Sequence, residues 1–167
     1  VIDRRFGDCK DKATLLVALL AEDGMPAQVV LVRTSDLGGL ADPVASLGVF
    51  NHAIAWVPAL NWWLDATAPF HLPGELPTGD HGGTVIRVPL LPLRPGEVAD
   101  NAPLRLPTAD PAGQKEDAVA TLVPLPNGDV GLTLQLHWRG LFAADGRSRL
   151  QNHQTHKDVL QEQLSAL

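Results

Sequence analysis

Gly7-Asp8-Cys9-Lys10-Asp11-Lys12-Ala13-Thr14-Leu15-Leu16-Val17-Ala18-Leu19-Leu20-Ala21-Glu22-Asp23-Gly24 is the stretch on which the reading of this chain turns. Asp8 has the side chain of an N-cap, acidic Asp11 stands three residues later, and Gly24-Met25-Pro26 supplies a stop. The spacing therefore predicts a helix of about 14 residues. From Leu15 to Leu20 every residue is apolar, a pattern that a half-exposed helix does not tolerate, so this helix is expected to be buried on most sides as a central element. Cys9 falls outside that apolar run, in the polar collar at the helix start.

Downstream of the helix, Ala27–Thr34, Phe50–Val57 and Asn61–Thr67 read as strands, with a surface loop from Ser35 to Gly48 that holds Gly38-Gly39 and Pro43. The short connection Pro58-Ala59-Leu60-Asn61 makes the second and third strands an antiparallel hairpin. A Pro- and Gly-rich stretch, Ala68–Gly83, precedes a further strand at Thr84–Val88. Pro89–Pro111 is dense in proline and reads as an interdomain stretch without regular structure. Asp117–Leu125 and Asp129–Trp138 flank Pro126-Asn127-Gly128, an Asn-Gly hairpin signal. Thr155–Leu167 has a capping box (Thr155 with Asp158) and the apolar spacing of an amphipathic helix. The expected organisation is a core at residues 1–95, a Pro-rich linker at 96–116, and a β-hairpin segment at 117–167 that ends in a helix.

Composition prunes the function classes. A chain of 167 residues with 45% apolar side chains can fill a core. A net charge of −6 without a basic run removes the phosphate-neutralising surface of a nucleic-acid binder. No apolar stretch reaches the roughly 18 residues of a membrane span, and no signal pattern stands at the start. The chain opens on Val1 without an initiator Met, so it is expected to come from inside a longer protein. No Tyr is present, and the single Cys forms no intrachain disulfide and no Cys-rich zinc site. No serine sits in a nucleophile elbow, and neither a phosphate loop nor a dinucleotide fingerprint occurs, so no cofactor is expected.

Chemistry then falls to Cys9, the histidines and the acids. At a helix start, unpaired N–H groups and the helix dipole favour an anion, so a thiolate at Cys9 is a candidate nucleophile; a lone Cys is otherwise most often a small buried hydrophobe. A thiolate in acyl transfer needs an imidazole to take and return its proton, and the imidazole needs an orienter. The predicted hairpin offers both. Val57 opposite Trp62 sets Ile54 opposite Asp65, with His52 on the same face one diagonal step away. Any odd pairing sum keeps His52 and Asp65 together, and an even one separates them. At a diagonal of roughly 7–8 Å two inward-leaning side chains can meet. Singly, His52 also fits a satisfied core histidine and Asp65 a cap on the Thr67 turn. A charged Asp within Trp62-Trp63-Leu64-Asp65-Ala66 is costly unless paired, which favours the set over its members.

Three motifs together resemble a known family. Arg5-Phe6-Gly7-Asp8-Cys9-Lys10-Asp11-Lys12-Ala13, Phe50-Asn51-His52-Ala53 and Trp63-Leu64-Asp65-Ala66-Thr67 look like the core motifs of the transglutaminase-like superfamily. The likeness is nearest to the bacterial branch in which an N-terminal β-domain precedes this core. It covers roughly residues 1 to 90. The resemblance implies an α+β, papain-like core, with the Cys-bearing helix packed on an antiparallel sheet and a smaller β-rich segment after it. Within that core it implies Cys9 as nucleophile, His52 as general base and acid, and Asp65 as orienter. It also implies helices before the cysteine, where only eight residues stand here, and a periplasmic or secreted location. The Cys9 backbone N–H is a candidate oxyanion donor.

The expected activity is cysteine-dependent acyl transfer on a protein or peptide amide, through a thioester resolved by an amine or water. A peptidase or amidase with the same triad, and a non-catalytic envelope-associated binding domain, are the alternatives. Asn51 reads as a strand-edge residue or as support for His52. His71 and His81 read as loop residues, His153 and His156 as exposed polar residues, and Arg4 and Arg5 as a solvated face. No metal site is expected. Of Trp62 and Trp63, on opposite faces of one strand, one is expected in the core and the other along a cleft.

Overall fold

A computed structural model describes residues 1–40, 46–89, 102–153 and 156–165 of the chain. It comprises two compact units, Val1–Thr108 and Ala109–Leu167. The first unit is α+β: a helix α1 (Cys9–Glu22) and an antiparallel sheet built from β1 (Gln28–Arg33), β2 (His52–Val57), β3 (Trp62–Leu64), β4 (Thr84–Arg87) and β5 (Leu104–Arg105). Strand order is β3-β2-β1-β4-β5.

Helix α1 starts where its sequence says it should. The Asp8 carboxylate accepts from the Asp11 N–H at 3.0 Å and the Asp11 carboxylate accepts from the Asp8 N–H at 3.2 Å, a reciprocal capping box, of a kind worth about 1 kcal/mol. Its C-terminal end closes at Gly24, whose φ of +72° suits glycine.

Register decides which residues meet. In the β2–β3 pair Val57 faces Trp62, Trp56 faces Trp63 and Ala55 faces Leu64, joined by a single 3-10 turn at Pro58–Leu60 and a left-handed Asn61. One face of the sheet presents Val30, Val32, Ile54, Trp63 and Val85, which pack with Leu76 and Leu106 from the loops into the core of the unit. Each large apolar side chain buried there contributes about 1.5–3 kcal/mol. Ala53, Ala55 and Val57 alternate onto the opposite face, and α1 packs against β2 with Ala13 fully buried. Small residues on both sides let helix and sheet approach closely.

Two expectations are corrected here. The apolar run of α1 is not covered on most sides: Ala13 is its one buried residue and Leu19 is 54% exposed. The first unit has a single helix layer among the described residues, so α1 is covered from the sheet side alone. The proline-rich stretch is not without regular structure either, since Leu104–Arg105 pairs with β4 and Leu106 is buried in the core. Proline at 103 and 107 brackets that short edge strand, a position where a missing N–H costs no ladder bond. The first unit thus runs on to Thr108, within the segment read as linker. Residues 90–101 of that segment, residues 41–45 with Pro43 of the predicted surface loop, Thr155 of the predicted capping box, and Leu167 lie outside the described residues.

The second unit is built on a ten-residue by ten-residue ribbon, β6 (Lys115–Pro124) and β7 (Val130–Arg139), paired without a break. Gly128 supplies the positive φ of +89° at the predicted Asn-Gly turn. Alternation sorts the faces: Ala118, Ala120 and Leu122 stand across from Leu136, Leu134 and Leu132, whereas Lys115, Asp117 and Thr121 stand across from Arg139, His137 and Thr133. Helix α2 (Leu141–Arg149) packs on β7. The sequence reading assigns no element to this stretch. Gly146 is nevertheless the residue that fits, since a Cβ there would run into the Trp138 ring. Helix α3 (His156–Ser165) follows.

Candidate active site

Side chains from separate segments of the first unit meet at one end of the sheet. His52 opens β2, and Asp65 follows β3 by one residue. The observed register has the odd pairing sum, which puts both on one face. The His52 Nε2 lies 3.1 Å from Asp65 Oδ2. The other Asp65 oxygen accepts from the Thr67 backbone N–H and from the Thr67 hydroxyl, each at 2.7 Å. The carboxylate is thus held on both oxygens and its side chain is 3% exposed. The turn-capping role and the His-orienting role weighed for Asp65 are both present in one residue.

Cys9 is half-buried at the first residue of α1. The His52 pKa is pushed up to about 9, first by the hydrogen bond with Asp65, against burial, and further by interaction with the Cys9 side chain and the charges of Asp65 and Asp80. For Asp65, burial opposes the charge, yet the bonds from His52 and Thr67 outweigh it and hold the carboxyl below its ordinary value. Around neutral pH the pair is an imidazolium and a carboxylate. The first-turn N–H of Cys9 has no acceptor within its own helix.

Asn51 is a support residue. Its side chain bridges to Thr34, accepting from the Thr34 N–H at 3.0 Å and donating to the Thr34 hydroxyl at 2.7 Å. This pins the end of β1 to the residue before His52. Trp63 is buried and stacks on Trp56 with ring centroids 5.4 Å apart. Trp62 turns outward and lines a cleft of about 330 Å³ with Leu16, Leu20, Met25, Leu64 and Leu72, bordered by Asp65, His71 and Glu75. The cleft is mostly apolar and opens beside the Asp65 end of the site. His81 Nδ1 lies 3.1 Å from the Pro107 carbonyl, the His153 and His156 rings of the second unit meet at a tilt of 60° with centroids 4.6 Å apart, and Arg4 and Arg5 are exposed.

One residue escaped sequence reasoning. Asp80 is 2% exposed, and its donor atom together with those of His52 and Asp65 all lie within 4.8 Å of one another. Within Gly79-Asp80-His81-Gly82-Gly83 a carboxylate reads as solvated, and no local pattern announces burial. Burial pushes its pKa up to about 6, with His52 opposing and Asp65 reinforcing the shift. One nitrogen and two carboxylates are also a donor set able to hold a divalent cation; here the proton shared between His52 and Asp65 competes for the ring nitrogen.

Compared with protein-family models, curated proteins and solved structures, the chain gives no match. No helix among the described residues is long and apolar enough to cross a membrane.

Proposed function

We propose that this chain is a cysteine-dependent acyl-transfer enzyme on amides, with a papain-like, transglutaminase-like core. The observation that supports the reading is the His52 imidazole, whose Nε2 lies 3.1 Å from the Asp65 carboxylate and on whose ring the side chain of Cys9, at the start of α1, also acts. The Cys9 sulfur attacks a carboxamide carbonyl while His52 holds the thiol proton. Collapse of the tetrahedral intermediate breaks the C–N bond, His52 gives that proton to the leaving nitrogen, and a thioester remains. An amine, or a water, then attacks the thioester with His52 as base, and the thiol is regenerated. Asp65 keeps the ring oriented and stabilises the imidazolium in each half-reaction. The apolar cleft beside Asp65 suits the side chains of a protein or peptide donor. Half-exposure of Cys9 admits water to the thioester, which favours an amidase or peptidase outcome as the second reading.

The test is the pH dependence of Cys9 alkylation by iodoacetamide in the parent and in His52→Ala, alongside transfer of a fluorescent amine to a carboxamide peptide. The parent is expected to react fast at neutral pH, and the variant at least tenfold more slowly. Superimposable curves would falsify the enzymatic reading and leave a binding domain. Release of free acid without amine incorporation would assign the hydrolytic branch.

A further inference from the structure

We propose that Asp80 is a positioning residue of the same site, a second buried carboxylate whose charge favours the imidazolium form of His52. This rests on the acyl-transfer reading of Cys9 and His52.

The backbone over-determines where Asp80 stands. The Asp80 N–H donates to the Pro77 carbonyl at 3.0 Å and the Asp80 carbonyl accepts from the Gly83 N–H at 2.9 Å. A Cβ on Gly83 would lie 2.9 Å from the Arg33 carbonyl and 3.0 Å from that of Asp80, so the turn is pressed against the end of β1 and only glycine fits. The carboxylate is driven inward with 2% exposure, and its Oδ2 has no hydrogen-bond partner among the described residues. A buried carboxylate oxygen without a hydrogen-bond donor disfavours the charged form unless a cation stands nearby.

His52 and His81 are the cationic groups whose charge acts on Asp80. The Arg33 guanidinium donates to the carbonyls of Gly38, Val49 and Leu37, Arg105 donates to the Gly82 carbonyl, and His81, on the same turn, is directed to the Pro107 carbonyl. His52 is left as the partner, with Asp65 as the like charge beside it. Two carboxylates thus flank one ring. Asp65 fixes its orientation through Nε2, and Asp80 adds charge without a hydrogen bond. A fixed negative charge this close to the ring favours its protonated form. Because Asp80 itself titrates near 6, acidification through that range removes the second charge before His52 or Asp65 changes state.

The experiment follows the His52 ring proton resonances against pH in the full chain, assigned by their loss in His52→Ala. The parent is expected to show its main titration on the alkaline side and a smaller inflection near pH 6. In Asp80→Asn the inflection should vanish and the main titration should fall by about one pH unit, the shift that loss of one nearby charge produces. A main titration unmoved in Asp80→Asn overturns the proposal, even if the variant melts earlier, since a purely structural role lowers the melting temperature and leaves the ring alone. Should Asp80→Asn not fold, the parent decides by itself: a single smooth His52 titration without the inflection overturns the proposal. Ring titration does not depend on Cys9 reactivity, so failure of the acyl-transfer reading and failure of this one are told apart.

Discussion

His52 is tied to Asp65 through its Nε2, and its raised proton affinity makes it a stability element of the first unit. Its pKa lies at about 9 when folded, against 6.5 for the free side chain. The folded state therefore binds the proton more tightly, and the stabilisation is complete below pH 6.5 and lost as pH rises through about 9. The loss is about 3 kcal/mol at the outside, shared with Asp65. Urea unfolding followed by tryptophan fluorescence at pH 6 and at pH 9.5 is expected to show a lower midpoint at the higher pH. An unchanged midpoint would mean that the ring gains nothing from Asp65. Asp65→Asn should keep the ring in place and lose its charge partner, lowering amide turnover by roughly 10³–10⁴-fold while a residual rate survives. At this scale the sequence was informative where chemistry followed local rules: a cysteine at a helix start, and a histidine and an aspartate linked by a period of two. Asp80 was illegible because its burial depends on a glycine-rich turn pressed against the distant end of β1, which no neighbouring residue encodes.

Elements are where small backbone requirements reach the site. Gly83 has no space for a methyl group between the Arg33 and Asp80 carbonyls. Gly83→Ala is accordingly expected to push the Asp80 turn outward and destabilise the first unit by about 1–3 kcal/mol, with the His52 titration shifting in the same sense as in Asp80→Asn. A variant of parental stability and titration would show that the turn yields freely. Ile54 is fully buried on the same face as His52, so Ile54→Ala should cost about 2–5 kcal/mol in chemical denaturation. The type and pairing of α1, β2 and β3 could be read from capping residues, apolar alternation and a four-residue connection. The degree to which α1 is covered could not, because an apolar run says that a helix prefers company without saying how many neighbours the fold supplies. Helix α2 was missed for a related reason: a glycine that breaks helices in isolation is what permits this one to lie against Trp138.

On the scale of the whole molecule, the division into Val1–Thr108 and Ala109–Leu167 predicts two unfolding transitions in calorimetry, of which Ile54→Ala lowers only the one that belongs to the sheet of the first unit. A single transition that moves as a block would mean that the units unfold as one. The existence of two parts was visible in the clustering of prolines, but the position of the join was not, since β5 borrows that proline-rich chain to finish the first sheet. One feature of that sheet reaches further. The end of β1, the starts of β2 and β4 and the exit from β3 all lie at the same edge of the ladder, where backbone amides open most easily to solvent. A covalent adduct on Cys9 that also engages His52 would stitch these loose ends to one another. Deuterium uptake should then slow together in peptides around residues 9–13, 50–53, 64–67 and 79–84, segments far apart in the chain, while the amides of β6 and β7 exchange as before.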